Sequence, residues 1–437
     1  MARALITGGT VLLAGAKMLR WSRTPAKAAA PATGDYVAAA PVELRPAVLC
    51  FCNRAQEQHM WLALGLGSAE HGFPHVTDVV YTTHGLDAEV QLRGGQNLKT
   101  WTDAGTLDAL AQYIGVPEVT AVQAFPGFVR LQVRTFDVLA APAPLPAAAP
   151  DVVDLEAVPI GIREDGGLWR LRLLYGHTLV AGAMGSGKGS VIWSILAGIG
   201  PAIKTGLVDV WMADPKGGAE FGRGEDKLFV RFTTDSTTIL AMLAEAVDTM
   251  RNRLASMRAA GTRKHVPTAD EPLILIIIDE AASLSSYATR EEQQEFRRLT
   301  GLLLSQGRAA AVSVVAALQD PSKETMPNRQ LFPIRVGLRL DEPTQTAMVH
   351  GQGARDRGAR CDRISENTPG VAFVGEDGTA EFVRVRAFWV DDATADAIVA
   401  TYSPAPVITG PSEDYSGFDP DDLGDDEIPG DGAAVAA

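Results

Sequence analysis

The sequence predicts an α/β protein: a parallel sheet with helices on both faces, preceded by a smaller α/β domain. Three observations carry this. Between Asp151 and Ser403, apolar strand-like runs alternate with helix-like runs, and a run as continuously apolar as LILIII (273–278) belongs in a strand buried on both faces, as in a helix-covered parallel sheet. Upstream, VTDVVYTTH and AEVQLRG alternate like half-buried strands, TLDALAQYIG has the spacing of a short amphipathic helix, and FVRLQVRTFDV reads as another strand. Two Ala/Pro-rich stretches, Ala26–Pro46 and Ala140–Pro150, punctuate the chain, and such composition makes semi-rigid spacers rather than cores. The expected organisation is an N-terminal segment and linker (1–46), a small α/β domain (47–139), a linker (140–150), the larger domain (151–403) and a tail (404–437) without periodicity.

In chain order the larger domain reads as a strand in HTLVAG, a helix in GKGSVIWSILAGI, a strand in TGLVDVWMAD and the long helix TTILAMLAEAVDTMRNRLASMRAAG. The strand LILIIIDE, the helix EFRRLTGLLLSQGRAA and the strand VSVVAALQ follow, and PIRVGLRL and GVAFVGEDGTAEFVRVRAFWV supply the last strands. At 437 residues the chain is long enough for two or three cores. Its three cysteines, Cys50, Cys52 and Cys361, lack the paired spacing of a zinc site and read as reduced thiols. The net charge of −14 is concentrated: from Pro411 onward there are nine Asp/Glu and no Lys/Arg, which leaves −5 for the rest. An acidic total therefore does not exclude a nucleic-acid partner met through a local basic strip. The apolar run Ala4–Ala16 is flanked by Arg3, Lys17, Arg20 and Arg23. Its thirteen residues would rise about 20 Å as a helix, short of the roughly 30 Å hydrocarbon core. Peripheral or no membrane contact is expected ahead of a span.

The chemistry begins at 178-TLVAGAMGSGKGSVIWS-194. Gly182-Ala183-Met184-Gly185-Ser186-Gly187-Lys188 fits GxxxxGK between a strand and a helix. Glycines in such a loop turn backbone N–H groups toward phosphate oxygens, the helix adds its positive end, and Lys188 reaches the β/γ-phosphates. The second half of the site follows from the strand Leu273–Ile278, which delivers Asp279 for a Mg2+ hydration shell and Glu280 to polarise an attacking water. Gln319, ending VSVVAALQ, is placed beside Asp279 to sense the γ-phosphate or the water. Directly after Lys188, where a Ser or Thr hydroxyl ordinarily ligates Mg2+, stands Gly189. Either water completes the metal's shell or Ser190, about 100° further round the helix, takes the ligand role.

These motifs, with PIGIREDGGLWRL (159–171), ADPKGGAEF (213–221), MRNRLASMRAAGTRKH (250–265) and GRAAAVSVVAALQDPS (307–322), resemble those of the FtsK/SpoIIIE-type DNA translocases, especially relatives encoded by actinobacterial plasmids and integrative elements. The resemblance runs from about Pro159 to Val374. It implies a P-loop NTPase fold of RecA-like type, ATP and Mg2+ as cofactors, double-stranded DNA as partner, a homo-hexameric ring and a role in conjugation. It also implies a cytoplasmic place, peripheral to the inner face of the membrane at most. Where the family has Ser-Arg-Thr, this chain has Thr344-Gln345-Thr346, which leaves Arg308, Arg355 and Arg357 as candidates for an arginine reaching a neighbouring subunit.

A ring that threads DNA needs a basic lining, and Arg251, Arg253, Arg258, Arg263 and Lys264 form a basic stretch on and after one helix. Lys216 and Glu220 fall at the sheet edge that carries the phosphate loop. Two further readings of the same residues stay open here: a ring ATPase acting on protein substrates, as in type VII secretion, and a DNA-binding scaffold that keeps nucleotide without hydrolysing it.

Overall fold

The computed structural model describes residues 32–146, 152–355, 357–379 and 382–404. Its first part is helical: α1 (Thr33–Ala39), α2 (Arg45–Cys52) and α3 (Arg54–Ala63) precede β1 (His75–Thr82) and β2 (Gly85–Gln91). Then come α4 (Leu98–Thr102), α5 (Ala104–Ile114), β3 (Glu118–Phe125) and β4 (Phe128–Arg134). The four strands form an antiparallel sheet in the order β1-β2-β4-β3, with a core of their own that includes Phe51, Trp61, Trp101 and Leu131. Here the expected linker is corrected. Residues 33–46 are helical rather than spacer, and Ala40 and Leu44 are buried in this core. Asn53 ends α2 and caps α3 by accepting from the Ala55 and Gln56 N–H groups. Glu57 then fastens α3 to β1 by accepting from Val76 N at 2.7 Å.

The second sheet begins with β5 (Ala143–Pro144), β6 (Val158–Arg163), β7 (Leu168–Leu171) and β8 (Thr178–Ala181), followed by α6 (Lys188–Lys204), β9 (Val208–Ala213) and β10 (Phe229–Thr233). Next are α7 (Ser236–Ala260), β11 (Leu273–Ile278), α8 (Ala282–Ser285), α9 (Arg290–Gln306), β12 (Val312–Leu318) and β13 (Ile334–Gly337). The chain closes with α10 (Pro343–His350), β14 (Val371–Glu376), β15 (Val383–Trp389) and α11 (Asp392–Tyr402). The order is β10-β9-β11-β12-β8-β13-β14-β15-β6-β7, with β5 paired to β15. From β10 to β13 neighbours are parallel; from β13 onward they are antiparallel. The sheet is therefore mixed, its parallel half covered on both faces as LILIII requires. Leu275 and Ile277 point into the layer of α6 and α11, while Ile274, Ile276 and Ile278 point into the layer of α7 and α9. The second expected linker is also partly built in: Arg386, 2 % exposed, donates to Leu139 O and Ala140 O at 2.7 Å each, and Ala143 pairs with Phe388.

Two buried histidines give the fold an acid limit. His177 Nδ1 accepts from Val314 N at 3.1 Å, so the ring is held neutral, and burial, aided by Arg308, pushes its pKa down to about 3. Burial, aided by Arg335 and Arg357, does the same to His350, also to about 3. In the unfolded chain both titrate near 6.5, so below that pH the unfolded state binds more protons than the native state and stability falls as pH falls. The expected loss is about 1.4 kcal/mol per pH unit for each histidine from about pH 6 down to about pH 3. Denaturant unfolding at pH 7 and pH 5 checks this, and equal midpoints refute it.

Candidate nucleotide site

The site lies at the C-terminal edge of the parallel strands. β8 ends into the loop Gly182–Gly187, and α6 starts at Lys188 with no displaced first turn. The loop is braced from both sides: Ala183 N donates to Arg339 O (2.8 Å), Arg339 donates to Met184 O (2.8 Å), and Gly370 N donates to Ser186 O (2.8 Å). Gly185 and Gly187 have φ of 70° and 98°, which side chains disfavour, and a Cβ at 187 would lie 2.3 Å from Gly370 N. Met184 is exposed at the tip, whereas the Ser186 hydroxyl is buried without a partner among the described residues. Lys188 folds back, its Nζ donating to Gly182 O at 2.6 Å and Ala183 O at 3.1 Å. Burial lowers its pKa, opposed by Glu280, Asp279 and Glu220.

β11 delivers Asp279 and Glu280 next to β12, and β12 lies between β11 and the loop-bearing β8. Asp279 is 1 % exposed and its Oδ2 accepts from Lys216 Nζ at 2.8 Å. Burial alone would lower the Lys216 pKa, but this hydrogen bond and the charges of Asp279, Glu280 and Glu220 outweigh it and raise the value. Glu280 has φ of 73°, a left-handed backbone that costs a non-glycine residue about 1–2 kcal/mol. That turn aims its carboxylate at the end of β12: Oε1 accepts from Gln319 N at 3.3 Å, and Oε2 is buried with no partner among the described residues. The structure thus brings together Lys188, Asp279, Glu280 and Gln319.

Asp214 makes the turn that positions Lys216 and Glu220. Fully buried, it accepts from Lys216 N (3.1 Å) and Phe221 N (3.4 Å), and burial, aided by the Asp279 charge, raises its pKa against the opposing pull of these two hydrogen bonds. Glu220 is exposed as a residue, yet its carboxyl packs against the start of α6. Desolvation there, with Asp279 nearby, raises its pKa. Sequence reasoning placed Glu220 at this edge but missed its contact with position 189. The signal was the co-occurrence of a side-chain-free residue after Lys188 with an acid in ADPKGGAEF.

The residues fit ATP and Mg2+. The glycine cradle leaves space for phosphate, two buried polar groups await partners, and an ammonium now neutralises the carboxylate a divalent cation would meet.

The basic stretch is corrected at one position. Arg253 is 6 % exposed and donates to Ala310 O (3.1 Å), Ala311 O (3.3 Å) and Pro272 O (2.8 Å), so it holds the start of β11 against that of β12 and faces no ligand. Arg253→Ala is expected to cost about 3 kcal/mol by orphaning the Ala310 and Pro272 carbonyls, Ala311 O keeping its bond from Ile274 N, whereas exposed Arg251→Ala costs within about 0.5 kcal/mol; chemical denaturation of the two variants checks the contrast. Arg258, Arg263 and Lys264 are exposed, the last over the Tyr175 ring at 4.2 Å. All lie toward the N-terminal sheet edge, away from the loop. Arg308 donates to Tyr175 O (2.9 Å) at that edge, Arg355 is clamped by Asp362 (2.9 and 2.8 Å), and Arg357 lies over Phe382.

A phosphate loop on β8, an acidic pair on β11 and an intervening β12 ending in Gln319 define a P-loop ATPase domain of RecA-like layout. Residues 147–271 match the model of the FtsK/SpoIIIE family, and the chain carries a domain of that family. It is 29 % identical over 338 residues to the transfer protein TraSA of Streptomyces ambofaciens, covering 72 % of this chain and 78 % of that protein. It is 27 % identical over 274 residues to the DNA translocase FtsK of Streptococcus agalactiae, covering 56 % of this chain but 32 % of the translocase, so it spans about a third of that relative. Among solved structures, the pCW3 conjugation coupling protein TcpA in its monomer form with ATPγS shares the fold, with a TM-score of 0.52 and 20 % identity over 79 % of this chain and 98 % of that one. No helix among the described residues is long and apolar enough to cross a membrane, and Ala4–Ala16 lies outside them, as does the acidic stretch from Pro411.

Proposed function

We propose that this chain is an ATP-driven motor that moves double-stranded DNA, serving DNA transfer by a mobile element. The observation that carries the reading is the convergence of Lys188, Asp279, Glu280 and Gln319 at one sheet edge, within a chain that bears an FtsK/SpoIIIE domain and is similar along most of its length to a transfer protein. Bound ATP supplies the phosphoanhydride whose hydrolysis drives movement. Lys188, now bonded to the Gly182 and Ala183 carbonyls, would hold the phosphates, and Asp279, now paired with Lys216, would hold the metal. Glu280, through its unpartnered Oε2, holds and deprotonates the attacking water. Gln319 reports the state of that water to the rest of β12. Assembly as a homo-hexameric ring around the duplex and a cytoplasmic place at the membrane's inner face belong to the same proposal. Its test is whether long duplex DNA stimulates ATP hydrolysis by the full chain. Stimulation by a polypeptide instead would reassign the substrate.

A further inference from the structure

The missing hydroxyl after Lys188 has a physical replacement. An ideal Cβ built on Gly189 would lie 1.5 Å from Glu220 Oε1, 2.6 Å from its carboxyl carbon and 3.1 Å from Oε2. The carboxylate therefore fills the space into which a side chain at 189 would project, and any such side chain would displace it. Glu220 does not drift there. Asp214 holds the amides of Lys216 and Phe221, and Phe221 is fully buried with its ring 5.5 Å from Trp193 on α6. Residue 220 is thus tied at one side to the helix it faces. The same turn sets the Lys216 ammonium on Asp279, so a cation already bridges toward the acid that must hold the metal. The buried, unpartnered Ser186 Oγ and Glu280 Oε2 mark the adjoining space as one that awaits a polar ligand.

We propose that Glu220 replaces the absent phosphate-loop hydroxyl as a ligand, direct or through water, of the divalent cation that accompanies the nucleotide, sharing it with Asp279. This inference rests on the nucleotide-site reading and deepens it. A carboxylate brings a full negative charge where the usual hydroxyl is neutral, and hard divalent cations favour anionic oxygen. Gly189 and Glu220 are then two halves of one device: the glycine makes room, and the acid fills it. Lys216 guards the acid pair until the metal displaces it.

The test measures binding of a fluorescent, non-hydrolysable ATP analogue to the full chain as Mg2+ is titrated. Glu220→Gln keeps the shape and removes the charge. It is expected to raise the Mg2+ needed for half-maximal binding about 10-fold or more. Gly189→Ser alone should impair Mg2+-dependent binding, because the new side chain meets the carboxylate, while Gly189→Ser combined with Glu220→Ala should restore it by supplying the ordinary hydroxyl in cleared space. An unchanged Mg2+ curve for Glu220→Gln overturns the proposal, as does a shift found in Ser190→Ala but absent from Glu220→Gln. Should the native chain show no Mg2+-dependent nucleotide binding, the nucleotide-site reading itself fails; native binding with an indifferent Glu220→Gln sinks the metal-ligand role alone.

Discussion

Lys188→Ala and Asp279→Ala are each expected to abolish ATP hydrolysis while the chain stays folded. Both side chains serve the site and neither fills a core. Removing the Lys188 ammonium frees two loop carbonyls that open toward the phosphate space, and removing the Asp279 carboxylate frees Lys216, whose side chain is 37 % exposed and hydrates at little cost. The ladder bond from Asp279 N to Ala213 O is untouched, so β11 keeps its register. Glu280→Gln should behave differently. Glutamine keeps the acceptor for Gln319 N and tolerates the left-handed backbone as well as glutamate does, but it takes no proton from water. Turnover is expected to fall by about 10²–10⁴-fold with nucleotide binding retained. Thermal melts, nucleotide binding and steady-state ATPase on the three variants decide the matter. Full turnover by Lys188→Ala or Asp279→Ala sinks the site assignment, and loss of binding in Glu280→Gln would make that residue structural.

What the sequence revealed, and what it hid, follows from how far apart the interacting residues are. LILIII and VSVVAAL declare themselves because burial on both faces leaves the runs apolar apart from Ser313, whose hydroxyl donates to Leu173 O, and the Gly-rich loop declares itself because its constraints are local. Helix α1 and the first turn of α2 were concealed by Ala/Pro-rich composition. Pro46 sits in the first turn of α2, where its missing N–H costs nothing, so a residue that suggests a spacer opens a helix instead. Arg253 was misplaced although the pattern contained the warning. Met242, Ala246, Met250, Arg253 and Met257 share the three- and four-residue spacing of one stripe, and all five are buried. A charge on such a stripe must find carbonyls inside the protein. In the antiparallel half, β14 and β15 were legible as strands whereas β6 and β7 were not read as such, and the pairing of β13 with β14 was not legible, because pairing order depends on the crossovers rather than on any one run. The meeting of Gly189 with Glu220 was hidden for the same reason: the two share no local signal until β8 and β9 lie in one sheet.

Long double-stranded DNA is expected to stimulate the ATPase more than single strands do, and the stimulation should weaken steeply with salt. Each phosphate neutralised releases condensed counterions, so contact with three or four phosphates lowers affinity about a hundredfold between about 50 and 200 mM salt. Arg251 and Arg258 are the residues to reverse. Both are exposed on α7, and the 3.3 Å pair between Arg251 and Asp248 is solvent-screened and contributes little. Arg251→Glu with Arg258→Glu should reduce the salt slope by about two and weaken stimulation, leaving basal turnover intact because the nucleotide edge lies at the other end of the strands. Arg253 must be left alone in this experiment, since its loss would destabilise the starts of β11 and β12 and imitate a binding defect. Gel filtration must accompany the assay, because a broken assembly would also lose stimulation. A double variant with native assembly and native DNA response moves the duplex contact to another surface. If the native chain, its oligomer intact, gives no stimulation by duplex at low salt, the DNA motor reading fails.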